Sequence, residues 1–240
     1  MELLTVENLV ALATLATLEI VLGIDNLVVI AILTDELPAE QRTRARRVGL
    51  VAAGLMRIAL LLALTWFLGL TGTLFEVAGV EVTGRALILF VGGMLLIAKA
   101  THEIHTKLER PDEHPQARRR KAATFTTVIA QIMLFDMVFS VDSVITAIGV
   151  AREVWVMVTA ILLAVAVMII FANPVSGFVE RHPSVKMLAL SFLLLIGVML
   201  VAEAFGQHIE RGYIYFAMGF SLLVEMLNLR ARRVEQRSAA

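Results

Sequence analysis

Seven separate apolar runs, each about 16 to 26 residues long, come near the length needed to cross a roughly 30 Å hydrocarbon layer, and they leave this chain one environment. A water-soluble chain of 240 residues could bury a large core, but it could not hide seven such runs. A mean hydropathy of +0.84 with only 18% charged residues agrees. The fold class is therefore all-α, a polytopic membrane protein, and no enzymatic activity is expected. Cysteine is absent, which removes disulfides, thiolate zinc sites and redox-active thiols, so any metal here would meet oxygen or imidazole ligands.

The runs predict helices near 8–33, 48–70, 86–101, 122–150, 154–173, 187–206 and 213–229. Glu2 and Glu7 precede the first run with no basic residue, unlike a cleavable signal peptide, so the first helix is expected to stay. Basic residues cluster in alternate connections: Arg42, Arg44, Arg46 and Arg47; Lys107, Arg110, Arg118, Arg119, Arg120 and Lys121; Arg181 and Lys186; Arg230, Arg232, Arg233 and Arg237. Only Arg85, Arg152 and Arg211 fall on the opposite face, so the positive-inside rule puts the N-terminus outside and the C-terminus in the cytoplasm.

One internal repeat stands out. Leu18-Glu19-Ile20-Val21-Leu22-Gly23-Ile24-Asp25-Asn26-Leu27 reads against Phe135-Asp136-Met137-Val138-Phe139-Ser140-Val141-Asp142-Ser143-Val144, acid for acid and small for small, with the two acids six apart in each. The first segment runs inward and the second outward. That predicts seven transmembrane helices in a 3+3 inverted repeat plus one extra helix, a plan shared by many secondary transporters. Residues 1–240 form a single integral membrane domain on this reading: 5–101 is the first three-helix repeat, 102–121 a cytoplasmic linker with Pro111 and Pro115, 122–206 the second repeat and 213–229 the seventh helix.

Ionisable groups at mid-bilayer cost about 2.5–3.5 kcal/mol each even on a lenient scale, so they persist where they pair, line a cavity or handle ions. Glu19, Asp25, Asp136, Asp142 and Glu203 outnumber Arg57 and Lys99, and the excess of three acids calls for protons or cations; one divalent cation offsets two. On an unbroken helix, residues six apart lie about 120° apart around the axis, so Glu19 and Asp25 would not share a face. A break near Gly23 would change that and bare backbone carbonyls beside Asp25; Ser140, at the matching position, is a weaker breaker. Asn26 and Ser143 add neutral oxygens. Arg57 reads as the counter-ion of the acidic cluster, and Lys99 is expected to pair with Glu203 across the halves. The bland reading makes all these charges helix glue, Asp142 to Arg57 and Glu203 to Lys99, but glue needs no duplicated spacing. Asn173-Pro174 is expected to close the fifth helix. His102 and His105 with Glu103 and Glu109 read as solvated loop rather than metal site, and the 11 methionines read as packing.

The two acidic segments resemble the signature segments of the TerC family of integral membrane proteins. Phe178-Val179-Glu180-Arg181-His182-Pro183, Lys186-Met187-Leu188-Ala189-Leu190-Ser191-Phe192 and Gly212-Tyr213-Ile214-Tyr215-Phe216-Ala217-Met218 add to a likeness that spans nearly the whole chain. The resemblance implies a seven-helix protein of the bacterial inner membrane, related to lysine-exporter-like transporters, with family members linked to manganese efflux and to tellurium resistance. Carried over by position, the family's acidic motif falls on Glu19, Asp25, Asn26, Asp136, Asp142 and Ser143, with Gly23, Arg57, Lys99, Ser140 and Glu203 in support.

The residues alone reach a hard divalent cation as cargo; the resemblance makes it Mn2+, while Ca2+ and Mg2+ fit the same oxygen ligands. Proton exchange and channel-like efflux both suit that ligand set. Two other classes compete: an exporter of organic solutes of the amino acid type, whose carboxylate would look to Arg57 and Lys99, and a membrane scaffold working through its basic linker and tail. The expected partners are the metal ion and the lipid bilayer, with no nucleic acid and no organic cofactor, and nothing in the pattern speaks against a homo-oligomer.

Overall fold

The computed structural model describes residues 5–66, 73–77, 80–109, 123–151, 153–207 and 211–238. Among the described residues, seven helices carry the fold: α1 Val6–Thr34, α2 Ala39–Trp66, α3 Gly84–Glu109, α4 Phe125–Val150, α5 Val154–Arg181, α6 Pro183–Ala204 and α7 Arg211–Ser238. Five of them, in α1, α3, α5, α6 and α7, are long and apolar enough to cross a membrane, and Phe125–Val141 of α4 is apolar over a shorter reach. The chain is thus a polytopic helical protein.

Local chemistry sets the starts. Thr5 caps α1 by accepting from the Asn8 backbone N–H at 3.2 Å, and Glu7 sits in the first turn, where the helix dipole favours an acid. Thr124 caps α4 in the same way, accepting from the Thr127 N–H at 3.3 Å. His182 ends α5, and Pro183, which has no N–H to leave unpaired, opens α6.

The structure lengthens most of the helices that the apolar runs mark. α2 starts at Ala39 rather than 48, so Arg42, Arg44, Arg46 and Arg47 lie on a helix and not in a loop. α3 runs on to Glu109, so 102–109 are helical; residues 110–122 lie outside those described. Hydropathy marks the lipid-buried part of a helix, whereas Arg, Gln, Glu and Ala prolong it beyond the bilayer. Two predicted interruptions are also absent. α1 continues through Gly23, and α5 continues through Pro174 for seven more residues, as a helix packed among others can. A two-stranded hairpin, β1 Thr73–Val77 and β2 Val80–Thr83, joins α2 to α3 and was not foreseen; Thr73 stands opposite Thr83 and Val77 opposite Val80.

The packing follows a pairing rule. α1 lies on α5, α4 lies on α2, and α3 lies on α6, while α7 rests mainly on α6. The α3–α6 contact is backbone to backbone: a Cβ added to Gly93 would stand 2.7 Å from the Gly197 carbonyl oxygen, and one added to Gly197 would stand 2.9 Å from the Gly93 oxygen. At Gly23 a Cβ would meet the Met168 sulfur at 2.7 Å, so the glycine admits α5 rather than breaking α1. One large apolar cluster, from Leu27 and Leu50 to Leu96, Ile132 and Leu193, fills the middle of the bundle. A smaller one, with Leu15, Leu61, Val144, Val156 and Ile161, closes the end where α1 and α5 begin. The site lies between them.

Candidate functional site

Arg57 of α2 is 3% exposed and holds the centre of the bundle. One guanidinium nitrogen donates to Glu19 of α1, and another to Oδ1 of Asp136 of α4 at 2.6 Å. Asn26, two turns beyond Glu19, donates from Nδ2 to the same Asp136 oxygen at 3.0 Å. Ser140 completes the shell, its one hydroxyl proton shared between the Asp136 carbonyl at 2.5 Å, one helical turn back, and Asp136 Oδ2 at 3.0 Å. The first acid of each repeated segment therefore grips one shared cation, and α1, α2 and α4 meet on it.

Burial makes this pairing compulsory. Glu19, Asp25, Asn26, Asp136, Ser140 and Ser143 are all buried, and a carboxylate taken out of water survives only against an opposite charge with its remaining lone pairs satisfied. Asp136 meets that condition with donors on both oxygens. Among the described residues Asn26 Oδ1 has no hydrogen-bond partner, nor has Arg57 Nε, so the cluster keeps unused polar capacity. Ser143 donates only back to the Ser140 carbonyl, at 3.3 Å.

Asp25 is the second buried acid of α1. It faces an apolar cavity of about 480 Å³ between α1, α5, α6 and α7, lined by Ile24, Val28, Phe178, Val185, Phe192 and Leu222 among others. Asp142 lies on α4, and its side chain is outside the described residues. No three His, Asp or Glu side chains among the described residues gather into a cage for a metal ion. Two buried carboxylates, Glu19 and Asp136, nevertheless share the single guanidinium of Arg57.

The supporting charges are rearranged. Lys99 does not reach Glu203: it binds Glu36 in the α1–α2 turn, and Glu103 one turn along its own helix at 3.1 Å. Glu203 pairs instead with Arg85 at 3.1 Å. Arg57 takes Glu19 and Asp136, where the glue reading gave it Asp142. Helix rotation about the axis decides such choices, and sequence spacing does not carry it.

A second polar network escaped the sequence reading altogether. Arg46, 5% exposed, donates to Thr34 Oγ1 at 3.2 Å, to Asn173 Oδ1 at 3.2 Å and to the Glu180 carboxylate. Arg42 bridges Asp35 at 2.7 Å and Glu180 at 3.6 Å, and Lys186 binds Asp35. Burial pushes the Asp35 carboxyl up, but Lys186 and Arg42 outweigh it and hold the group below the ordinary aspartate range. For Glu36 burial wins over Lys99, and its carboxyl is held above the ordinary range. An amide, Asn173, at the end of an apolar run was the available signal.

Comparison with known proteins decides the family, because the model of the integral membrane protein TerC family matches residues 4–240. The chain belongs to the TerC family. A TerC relative from Haemophilus influenzae, named UPF0053 protein, is 49% identical over 228 residues, covering 95% of this chain and 96% of its own. The UPF0053 inner membrane protein YgdQ of Escherichia coli K12 is 50% identical over 219 residues, 91% of each chain. YoaE, a UPF0053 inner membrane protein of the same strain, is also 50% identical, over 92% of this chain but only 43% of its own length. No solved structure matches this TerC chain.

Proposed function

We propose that this TerC-family protein carries a divalent metal cation, Mn2+ foremost, out of the cytoplasm of a bacterium across the inner membrane. The observation that carries the proposal is the imbalance at the centre: among the described residues Glu19 and Asp136, the first acids of both repeated segments, are buried and share the one guanidinium of Arg57. Ionised, that pair carries one negative charge more than Arg57 in a low-dielectric interior, and a bound cation would offset it. Their oxygens, with the free Oδ1 of Asn26, make a hard donor set without thiolate or imidazole, which suits Mn2+, Mg2+ or Ca2+. The ligand set is completed by Asp142 and Ser143, with protons taking the place of the metal on its release. The location is supported by the printed names of the relatives as inner membrane proteins.

Two features support the inverted 3+3 plan. Exchanging α1 with α4, α2 with α5 and α3 with α6 maps the main helix pairs onto one another, and Gly93 and Gly197 meet reciprocally where α3 and α6 would straddle the two-fold axis. An exporter of amino acids would need a cation for the substrate carboxylate, but Arg57 already holds two acids and Lys99 another two. A scaffold linked to tellurium resistance would need no buried acidic excess.

Flux into inside-out vesicles tests this directly. With purified protein, Mn2+ uptake should exceed that of Zn2+ and of a lysine control, and Asp25→Asn and Asp136→Asn should each abolish it. Zn2+ moving faster than Mn2+, or uptake surviving both substitutions, would sink the mechanism.

A further inference from the structure

The reading above gives Arg46 no role, yet it is buried and its guanidinium joins three helices: Thr34 at the end of α1, its own α2, and α5 through Asn173 and Glu180. Arg42 reaches the same Glu180 and also holds Asp35, which in turn binds Lys186 at the start of α6. The α1–α2 turn of the first half is thus fastened to α5 and α6 of the second by a continuous chain of charges. At the opposite end of the bundle, the ion pair between the halves among the described residues is Arg85 with Glu203. Charge fastenings are concentrated at one end.

Asn173 is followed by Pro174. A proline nitrogen carries no hydrogen, so the Ile170 carbonyl loses its helical donor and the ring crowds it, which makes this the point where α5 bends most easily. Beyond it, Val175, Phe178 and Val179 form one wall of the apolar cavity that Asp25 faces. Arg46 binds on both sides of that point, to Asn173 just before it and to Glu180 past it. Swinging the last two turns of α5 outward would break the Glu180 contacts and open the cavity, and Asp25 with it, towards the end that carries Arg46.

We infer that residues 174–181 of α5 are a hinged gate between the cytoplasm and Asp25, pivoting at Asn173–Pro174 and latched shut by Arg46 and Arg42 on Glu180. The inference rests on the transport reading for what passes, and on the basic end being cytoplasmic. A latch of charge-assisted hydrogen bonds to an exposed carboxylate is weak enough to open thermally and strong enough to keep the closed state dominant.

The chain has no cysteine, so Val179→Cys, at a cavity-lining position 4% exposed, is a clean reporter. In inside-out vesicles a membrane-impermeant maleimide should label it slowly. Adding Glu180→Gln should speed labelling roughly tenfold, the usual worth of a charge-assisted bond, and Arg46→Gln should do the same. Pro174→Ala in either background should slow it again. Unchanged labelling in Glu180→Gln, whose exposed site tolerates the change in folding, would overturn the gate, as would acceleration that Pro174→Ala leaves intact. Mn2+ flux in the same vesicles separates the two readings: labelling that responds to the latch variants without flux of any cation keeps the gate and removes the transport function.

Discussion

Arg57 shows what one residue can hold. Without it Glu19 and Asp136 would remain buried with no counter-charge, and breaking a buried pair costs about 3–5 kcal/mol. Arg57→Met should therefore lower the melting temperature in detergent sharply, and the triple variant with Glu19→Gln and Asp136→Asn should recover most of the loss. An Arg57→Met protein that melts like the wild type would mean that both acids are already protonated. At the basic end, Asp35 and Glu36 are neighbours with opposite behaviour. The lowered Asp35 stabilises the fold above the ordinary aspartate range and loses that contribution as pH falls through its own lower value. The raised Glu36 works the other way: its contribution is present at acid pH and lost as pH rises through its elevated value. Asp35→Asn should thus destabilise at pH 7 with a deficit that vanishes in acid, whereas Glu36→Gln should leave stability at pH 7 equal or higher; melting curves across pH distinguish them. The acids of the central site were legible because their duplicated spacing is linear information. Their partners were not, since Lys99 chooses Glu36 and Glu103 over Glu203 through helix orientation, and only the four-residue step to Glu103 could have been read.

Among elements, the glycines separate two kinds of helix contact. At Gly93 a methyl group would press on the Gly197 carbonyl oxygen, which belongs to a rigid backbone, whereas at Gly23 it would press on the end of Met168, which can turn aside. Gly93→Ala should cost about 1–3 kcal/mol and Gly23→Ala clearly less; equal shifts in melting temperature would show that the α3–α6 seam is looser than its geometry. The existence of all seven helices was readable from hydropathy, because lipid demands an apolar run of fixed length. Their ends were not, because charged helix formers carry α2, α3 and α7 past the bilayer. Gly23 and Pro174 misled for one reason: both weaken a helix in water, while neighbouring helices hold α1 and α5 intact.

For the whole molecule, the positive-inside rule predicts an orientation from where the arginines lie. Arg47→Cys and Glu153→Cys, both at exposed positions, should be labelled from opposite sides, the first only in inside-out vesicles and the second only in intact cells. Labelling of both from one side would refute the topology. The proposed plan of two opposed halves leaves a trace in the sequence only where acids punctuate it, since apolar helices of similar composition carry little that distinguishes one partner from another. The halves also differ in one respect. α2 supplies Arg57, but α5, its counterpart on the inverted-repeat plan, has no basic residue before Arg181. Two identical half-length chains assembled head to tail would bring two such arginines to the middle, one for each of the two acids that Glu19 and Asp136 represent. One chain that carries both halves lets the second do without its arginine, so Glu19 and Asp136 share a single guanidinium, an arrangement that a symmetric pair of half-chains would not make.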